Sequence, residues 1–167
     1  MRPTLIALAC LLAAPVALWA VSAPAAPETS GPAVRVTPAG EDWIADFDQA
    51  VELARTQKKD LFVDFTGSDW CGWCIRLDRE VFEHDAFLEP MRRDYVLVAL
   101  DFPNGEEAKA KVPNPERNQE LATKYGVQGF PTILIVTPDG DVLWRTGYQP
   151  GGPEAYVEHV RELRAKG

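Results

Sequence analysis

Metal-ligating and disulfide-forming residues are scarce in this chain, with three cysteines and two histidines in 167 residues. A structural zinc site needs about four ligands. Once Cys10 is set aside, only Cys71, Cys74, His84 and His159 are left to supply them. His84 reads as a helix-start residue and His159 as a solvent-facing position on the last helix, so no metal is expected. Covalent haem attachment needs Cys-x-x-Cys-His, and Ile75 follows Cys74. Lysine and arginine form no run. They number 17 against 25 acidic residues, a formal net charge of −8. Nucleic acid and anionic membranes are therefore poor partners, and the acidity reads as a device for solubility. No internal repeat is visible.

The first 25 residues have the pattern of an export signal. Arg2 gives a positive start, Leu5 to Val21 is largely apolar, and Ala23-Pro24-Ala25 has the small-x-small form of a cleavage site. The apolar stretch also leaves open an uncleaved anchor through residues 5–21. Ala7-Leu8-Ala9-Cys10 is only loosely like a lipobox, which puts Cys10 in the discarded segment. Residues 26–40, rich in Pro, Ala, Gly, Ser and Thr, read as a flexible linker with a short strand at Val34 to Val36. A single domain is expected over 41–167, in a periplasmic or extracellular setting.

Within that domain, Trp43, Phe47, Ala50, Val51 and Ala54 recur at helical spacing. Leu61 to Thr66 reads as a strand buried on both faces. A helix is predicted from about Cys74 to Phe82, a second piece from His84 to Met91, and a strand over Tyr95 to Leu100. Phe102 to Pro115, with three prolines and several charges, is expected to be an exposed excursion. A helix over Glu116 to Tyr125 ends at Gly126. Thr132 to Val136 and Val142 to Arg145 flank the turn Pro138-Asp139-Gly140 as a hairpin. Pro153 to Ala165 closes the chain as a helix with Val157, Val160 and Leu163 inward. This order implies one parallel strand pair and an antiparallel end.

The chemistry concentrates in Cys71-Gly72-Trp73-Cys74, at the junction of a predicted strand and helix. Two thiols three positions apart can close a small disulfide ring and open it again. A helix start beside the first thiol favours its thiolate, which is the nucleophile of disulfide exchange. With the leader removed, these are the two cysteines left. A four-residue loop constrains the unfolded chain little, so the pair points to chemistry over stapling.

Three signatures together resemble the thioredoxin family, over about Trp43 to Ala165. Val63-Asp64-Phe65 ends a strand before Trp70-Cys71-Gly72-Trp73-Cys74, Tyr125-Gly126-Val127-Gln128-Gly129-Phe130-Pro131-Thr132 precedes a strand, and Asp139-Gly140 turns into the last strand. The resemblance implies an α/β thioredoxin-like fold, a central mixed β-sheet flanked by helices. It implies that Cys71 attacks a substrate disulfide, that Cys74 resolves the mixed disulfide, and that Asp64 shuttles a proton. Pro131 would carry a cis peptide bond facing the cysteines. Trp70, Gly72, Trp73, Phe130 and Pro131 would line the substrate site. Protein or peptide disulfides and an upstream thiol redox partner follow as partners, with a monomer and no cofactor or metal. The chain departs from thioredoxin proper in Cys-Gly-Trp-Cys for Cys-Gly-Pro-Cys, in one extra residue between Asp64 and the cysteines, and in a longer stretch before Pro131. These departures leave open whether it acts as reductase, oxidase or isomerase. A binding or chaperone module without turnover is the alternative, and peroxide reduction with Arg76 beside Cys71 is a third reading.

Overall fold

The computed structural model describes residues 42–166. The leader at 1–25, the linker at 26–40 and the short strand within it lie outside the described residues. Four strands form one sheet in the order β2-β1-β3-β4, where β1 is Asp60–Thr66, β2 Tyr95–Asp101, β3 Thr132–Val136 and β4 Val142–Thr146. β1 pairs parallel with β2, while β3 is antiparallel to both β1 and β4. A parallel neighbour needs a crossover, and the helices after β1 supply it.

The inner strands are apolar because both faces of the sheet are covered. Side chains alternate along a strand, so Leu61, Val63 and Phe65 enter one core with Phe47, Ala50, Ala54 and Leu121. Phe62 enters the other, with Trp43, Leu77, Phe82, Phe87 and Tyr156. Asp64 has the parity of Phe62. It lies between Ala99 and Ile133 in the register, at the level where an apolar residue would continue this second core.

Helix α1 spans Phe47–Gln57. It begins where the Asp46 carboxylate accepts the Gln49 N–H at 3.0 Å, and it stops at Lys58, whose φ of 55° is left-handed. Trp43 lies outside it, contrary to the helical spacing. Ile44 instead bridges in parallel to Val98, donating to the Leu97 carbonyl at 2.9 Å. Extended backbone here carries the Trp43 indole into the second core, 5.0 Å from the ring of Phe82 and fully buried.

The helix after β1 starts at Gly72 and changes character partway. α2, Gly72–Leu77, runs into a π-helical turn over Asp78–Phe82, closed by the Glu83 N–H on the Asp78 carbonyl at 3.0 Å. The wider turn buries two successive pairs, Leu77 with Asp78 and Val81 with Phe82. α3, Asp85–Asp94, leads to β2. The stretch expected to be a bare excursion contains a short helix, α4, Glu106–Lys109. Its first residues are half-buried Phe102 and buried Pro103. α5, Pro115–Lys124, opens with proline in its first turn and is followed by Gly126 at φ +60°. α6, Gly152–Lys166, buries Tyr156, Val157 and Val160 against α3 and the sheet, with Leu163 at the margin.

Candidate active site

Cys71 caps α2, and its sulfur is bonded to that of Cys74 with the two Cα atoms 5.2 Å apart. The Cys71 N–H reaches the Gly67 carbonyl at 2.9 Å, and the Cys74 N–H points at Cys71 Sγ from 3.2 Å. A backbone donor aimed at that sulfur stabilises negative charge when the bond opens. Cys71 is 6% exposed and Cys74 1%. Cys71 is thus buried, while the neighbouring Trp70 and Trp73 are 47% and 55% exposed. The Phe130–Pro131 bond is cis.

Every residue of the loop before Cys71 has a fixed place. The Ser68 N–H and hydroxyl both donate to the Asp101 carboxylate, at 2.9 and 2.5 Å. Asp69 accepts the N–H groups of Asn104 and Gly105 at 2.9 and 2.6 Å, which holds its carboxyl below the ordinary range. Trp70 Nε1 donates to the Phe102 carbonyl at 2.8 Å. Its ring lies across Gly67, where a Cβ would come within 2.7 Å of the indole. The Trp70 ring meets Phe130 edge-on at 5.7 Å, and Phe130 meets Phe102 at 5.1 Å. The extra residue before the cysteines thus belongs to a loop stitched to the end of β2. By contrast Gly72 is exposed, and a Cβ there would meet nothing within 4 Å.

Trp73 is held from the other side. Its ring is 5.1 Å from that of Tyr148, and the Arg76 guanidinium sits 5.5 Å from Trp73 and 5.3 Å from Tyr148. Glu80 joins the group, accepting from Arg76 Nε at 2.7 Å and from the Tyr148 hydroxyl at 2.6 Å. These two bonds hold the Glu80 carboxyl below its usual range. Arg76 is thereby engaged with its own helix and with Tyr148.

The core also carries buried acids. Asp64 is 2% exposed, and its Oδ1 has no hydrogen-bond partner among the described residues. Burial, then the charges of Asp78 and Asp101, push its carboxyl well above the ordinary range. Asp78, one turn beyond Cys74 on the same helix face, is 6% exposed. Burial, then Glu83 and Asp101, raise it to about 7. The structure joins Cys71 and Cys74 in a disulfide, sets Trp70 against Phe130, which precedes the cis Pro131, sets Trp73 against Tyr148, and buries Asp64 within the sheet. Sequence reasoning missed Asp78, whose signal was its spacing of four from Cys74. It also missed Asp69, Phe102 and Tyr148, whose partners are distant in the chain and left no local signal. His84 sits exposed near the Arg79 carbonyl, and His159 pairs with the Thr146 hydroxyl at 2.8 Å.

The family model described as thioredoxin-like matches residues 42–138. The chain belongs to the thioredoxin-like family. It is 36% identical over 115 residues to the disulfide bond reductase DsbH of Chlamydia pneumoniae, covering 68% of this chain and 67% of that protein. Among solved structures, a DsbH oxidoreductase superposes with a TM-score of 0.62 at 33% identity, over 72% of this chain and 82% of the other. A disulphide-isomerase candidate from Bacteroides thetaiotaomicron gives 0.53 at 30% identity, over 71% and 88%. Family membership and the Cys71–Cys74 pair together make this thioredoxin-like chain a thiol–disulfide oxidoreductase.

Proposed function

We propose that this protein reduces disulfides of polypeptides outside the cytoplasm. The Cys71–Cys74 disulfide at the start of α2 carries the reading. In the reduced protein the Cys71 thiolate attacks one sulfur of a substrate disulfide. That bond breaks, the first substrate thiolate leaves, and a mixed disulfide forms. Cys74 then loses its proton and attacks Cys71 Sγ, releasing the second substrate thiolate and closing the ring. Two electrons pass to the substrate, and an upstream dithiol restores them. Asp78, one turn beyond Cys74, or Asp64, whose charge interacts with it, takes the Cys74 proton, since both are buried and both bind protons more tightly than ordinary carboxyls. Trp70, Trp73, Phe130 and Pro131 form the apolar rim on which substrate rests.

Relation to a disulfide bond reductase supports the reducing direction. The leader pattern at 1–25 supports export, with the linker at 26–40 and the catalytic domain over 41–167. Among the described residues no helix is long and apolar enough to cross a membrane.

The test is reduction of insulin by pre-reduced protein, together with equilibration against glutathione. Cys71→Ser should abolish exchange, and Cys74→Ser should accumulate a mixed disulfide visible by mass spectrometry. A potential near that of thioredoxin, about −270 mV, fits a reductase, whereas one near about −120 mV would overturn that direction. Peptide binding by wild type without any exchange would favour the non-catalytic binding module.

A further inference from the structure

A cavity of about 330 Å³ opens beside the active site, between the end of β2 and the start of α5. Phe102, Pro103, Val112 and Pro115 give it an apolar wall, Lys109 and Gln119 stand at its rim, and Asp101 also lines it, its carboxylate taken up by the Ser68 N–H and hydroxyl. Lys109 is paired with Glu106 at 2.8 Å, so its charge is answered within the chain. A volume of this size accepts one large apolar side chain.

Two observations tie the cavity to the disulfide. Apolar surface is continuous between them, from the exposed Trp70 ring to Phe130 at 5.7 Å and on to Phe102 at 5.1 Å. The wall is also bolted to the cysteine loop, through Trp70 Nε1 on the Phe102 carbonyl and Asp69 on the Asn104 and Gly105 amides. A group in the cavity therefore has a fixed relation to the reacting sulfurs.

We propose that this cavity is a recognition subsite for an apolar side chain of the polypeptide whose disulfide is being reduced, which rests on the reductase reading above. At about 3.4 Å per extended residue, the two ring-to-ring steps of 5.7 and 5.1 Å alone span about three residues, and the further step from Trp70 to the sulfurs sets the spacing at roughly three to five residues from the substrate cysteine. The occupant is an unfolded or extended segment bearing Leu or Phe there.

The test uses pre-reduced full-length protein and peptides carrying one cysteine linked to thionitrobenzoate, whose release is followed by absorbance. Within a matched set, Phe, Leu or Ser stands three, four or five residues from the cysteine. At one of these spacings, Phe and Leu peptides should react with kcat/KM about ten-fold or more above Ser peptides. Val112→Asp should bring that ratio close to one by placing a carboxylate in the apolar wall. Gln119→Trp, which fills the cavity from its exposed rim, tests the same point should the first variant fold poorly. Leu143→Ser on β4, half-exposed and remote from the cavity lining, should leave the ratio unchanged. A wild-type ratio near one at every spacing overturns the subsite while leaving the reductase reading intact, provided bis-thionitrobenzoate disulfide is still reduced. Failure to reduce even that small disulfide overturns both. A ratio that persists in both cavity variants places recognition elsewhere and overturns the subsite alone.

Discussion

Asp78→Asn should stabilise this protein at alkaline pH and do nothing for it in acid. Asp78 is 6% exposed, and its carboxyl is raised from 3.8 to about 7, first by burial and then by the charges of Glu83 and Asp101. A rise of that size corresponds to about 4 kcal/mol between the two protonation states. The sign follows from which state holds the proton. Below pH 3.8 the group is protonated folded or unfolded, and there is no penalty. Between that point and about 7 the unfolded chain ionises while the folded one does not, so stability falls as pH rises. Above about 7 the penalty is complete and constant. Asparagine keeps the shape and carries no charge. The gap between variant and wild type should therefore be near zero at pH 3 and open to a ceiling of about 4 kcal/mol at pH 8. Urea unfolding of the oxidised protein at pH 3, 5, 7 and 8 reads it directly, as a midpoint displaced by about 1 M or more at pH 8. A gap that does not change with pH, or a variant less stable at pH 8, would refute the reasoning.

Trp43→Ala should cost about 3–5 kcal/mol in thermal or denaturant unfolding, because it removes a fully buried indole packed on Phe62, Phe82 and Phe87. Gly126→Ala should cost about 1–2 kcal/mol, as the φ of +60° penalises a Cβ although nothing crowds the site, and Gly126→Asn should cost less. Asp69→Ala should speed hydrogen exchange at the Asn104 and Gly105 amides. Since the Asp69 carboxyl is lowered from 3.8, its contribution is present above that pH and lost as the pH falls further, so variant and wild type should converge in acid. Unchanged exchange at those two amides would show that the clamp is not what orders the segment.

The strands were legible because β1, β2 and β3 are buried on both faces and so read as apolar runs, and their bounds came out within a residue of those expected. The hairpin was legible from Asp139-Gly140, where Gly140 takes φ +94°. Trp43 misled, because its spacing to Phe47 is that of a helix while the next residue, Ile44, is held extended, its N–H on the Leu97 carbonyl and its carbonyl accepting the Ala99 N–H. The π-helical turn was invisible, since Leu77-Asp78 and Val81-Phe82 look like ordinary helical sequence until both members of each pair are seen to be buried. The segment after β2 read as exposed because Phe102-Pro103 is followed by charges. Its order comes from Asp69 and Trp70, 32 to 36 positions earlier, and a non-local bond leaves no periodicity to find. Cys71, Cys74 and Asp64 were named from local pattern, whereas Asp78 became visible as a site residue once its burial was known.

That burial bears on the second half of the proposed reaction. Cys74 must shed its proton before it can attack Cys71. An ordinary thiol releases a proton near pH 8.5, so handing it to an ordinary carboxylate near 3.9 is uphill by about 6 kcal/mol. Handing it to a group near 7 is uphill by only about 2 kcal/mol. As acceptor of that proton, Asp78 would lower the barrier to resolution through its burial, at the expense of the stability lost above pH 4. Asp64 lies deeper, with an unpartnered Oδ1 and the Asp78 charge among the causes of its raised carboxyl. Ionising one acid therefore makes the other hold its proton more firmly. The pair should behave as a single acceptor with one readily available charge near neutral pH. Rapid-quench mass spectrometry can separate the steps. Asp78→Asn should leave formation of the mixed disulfide within about two-fold and slow its resolution by about ten-fold or more, and Asp78→Glu should restore part of that rate. If both steps slow equally, or if Glu and Asn behave alike, Asp78 acts on the site through packing and the proton passes elsewhere.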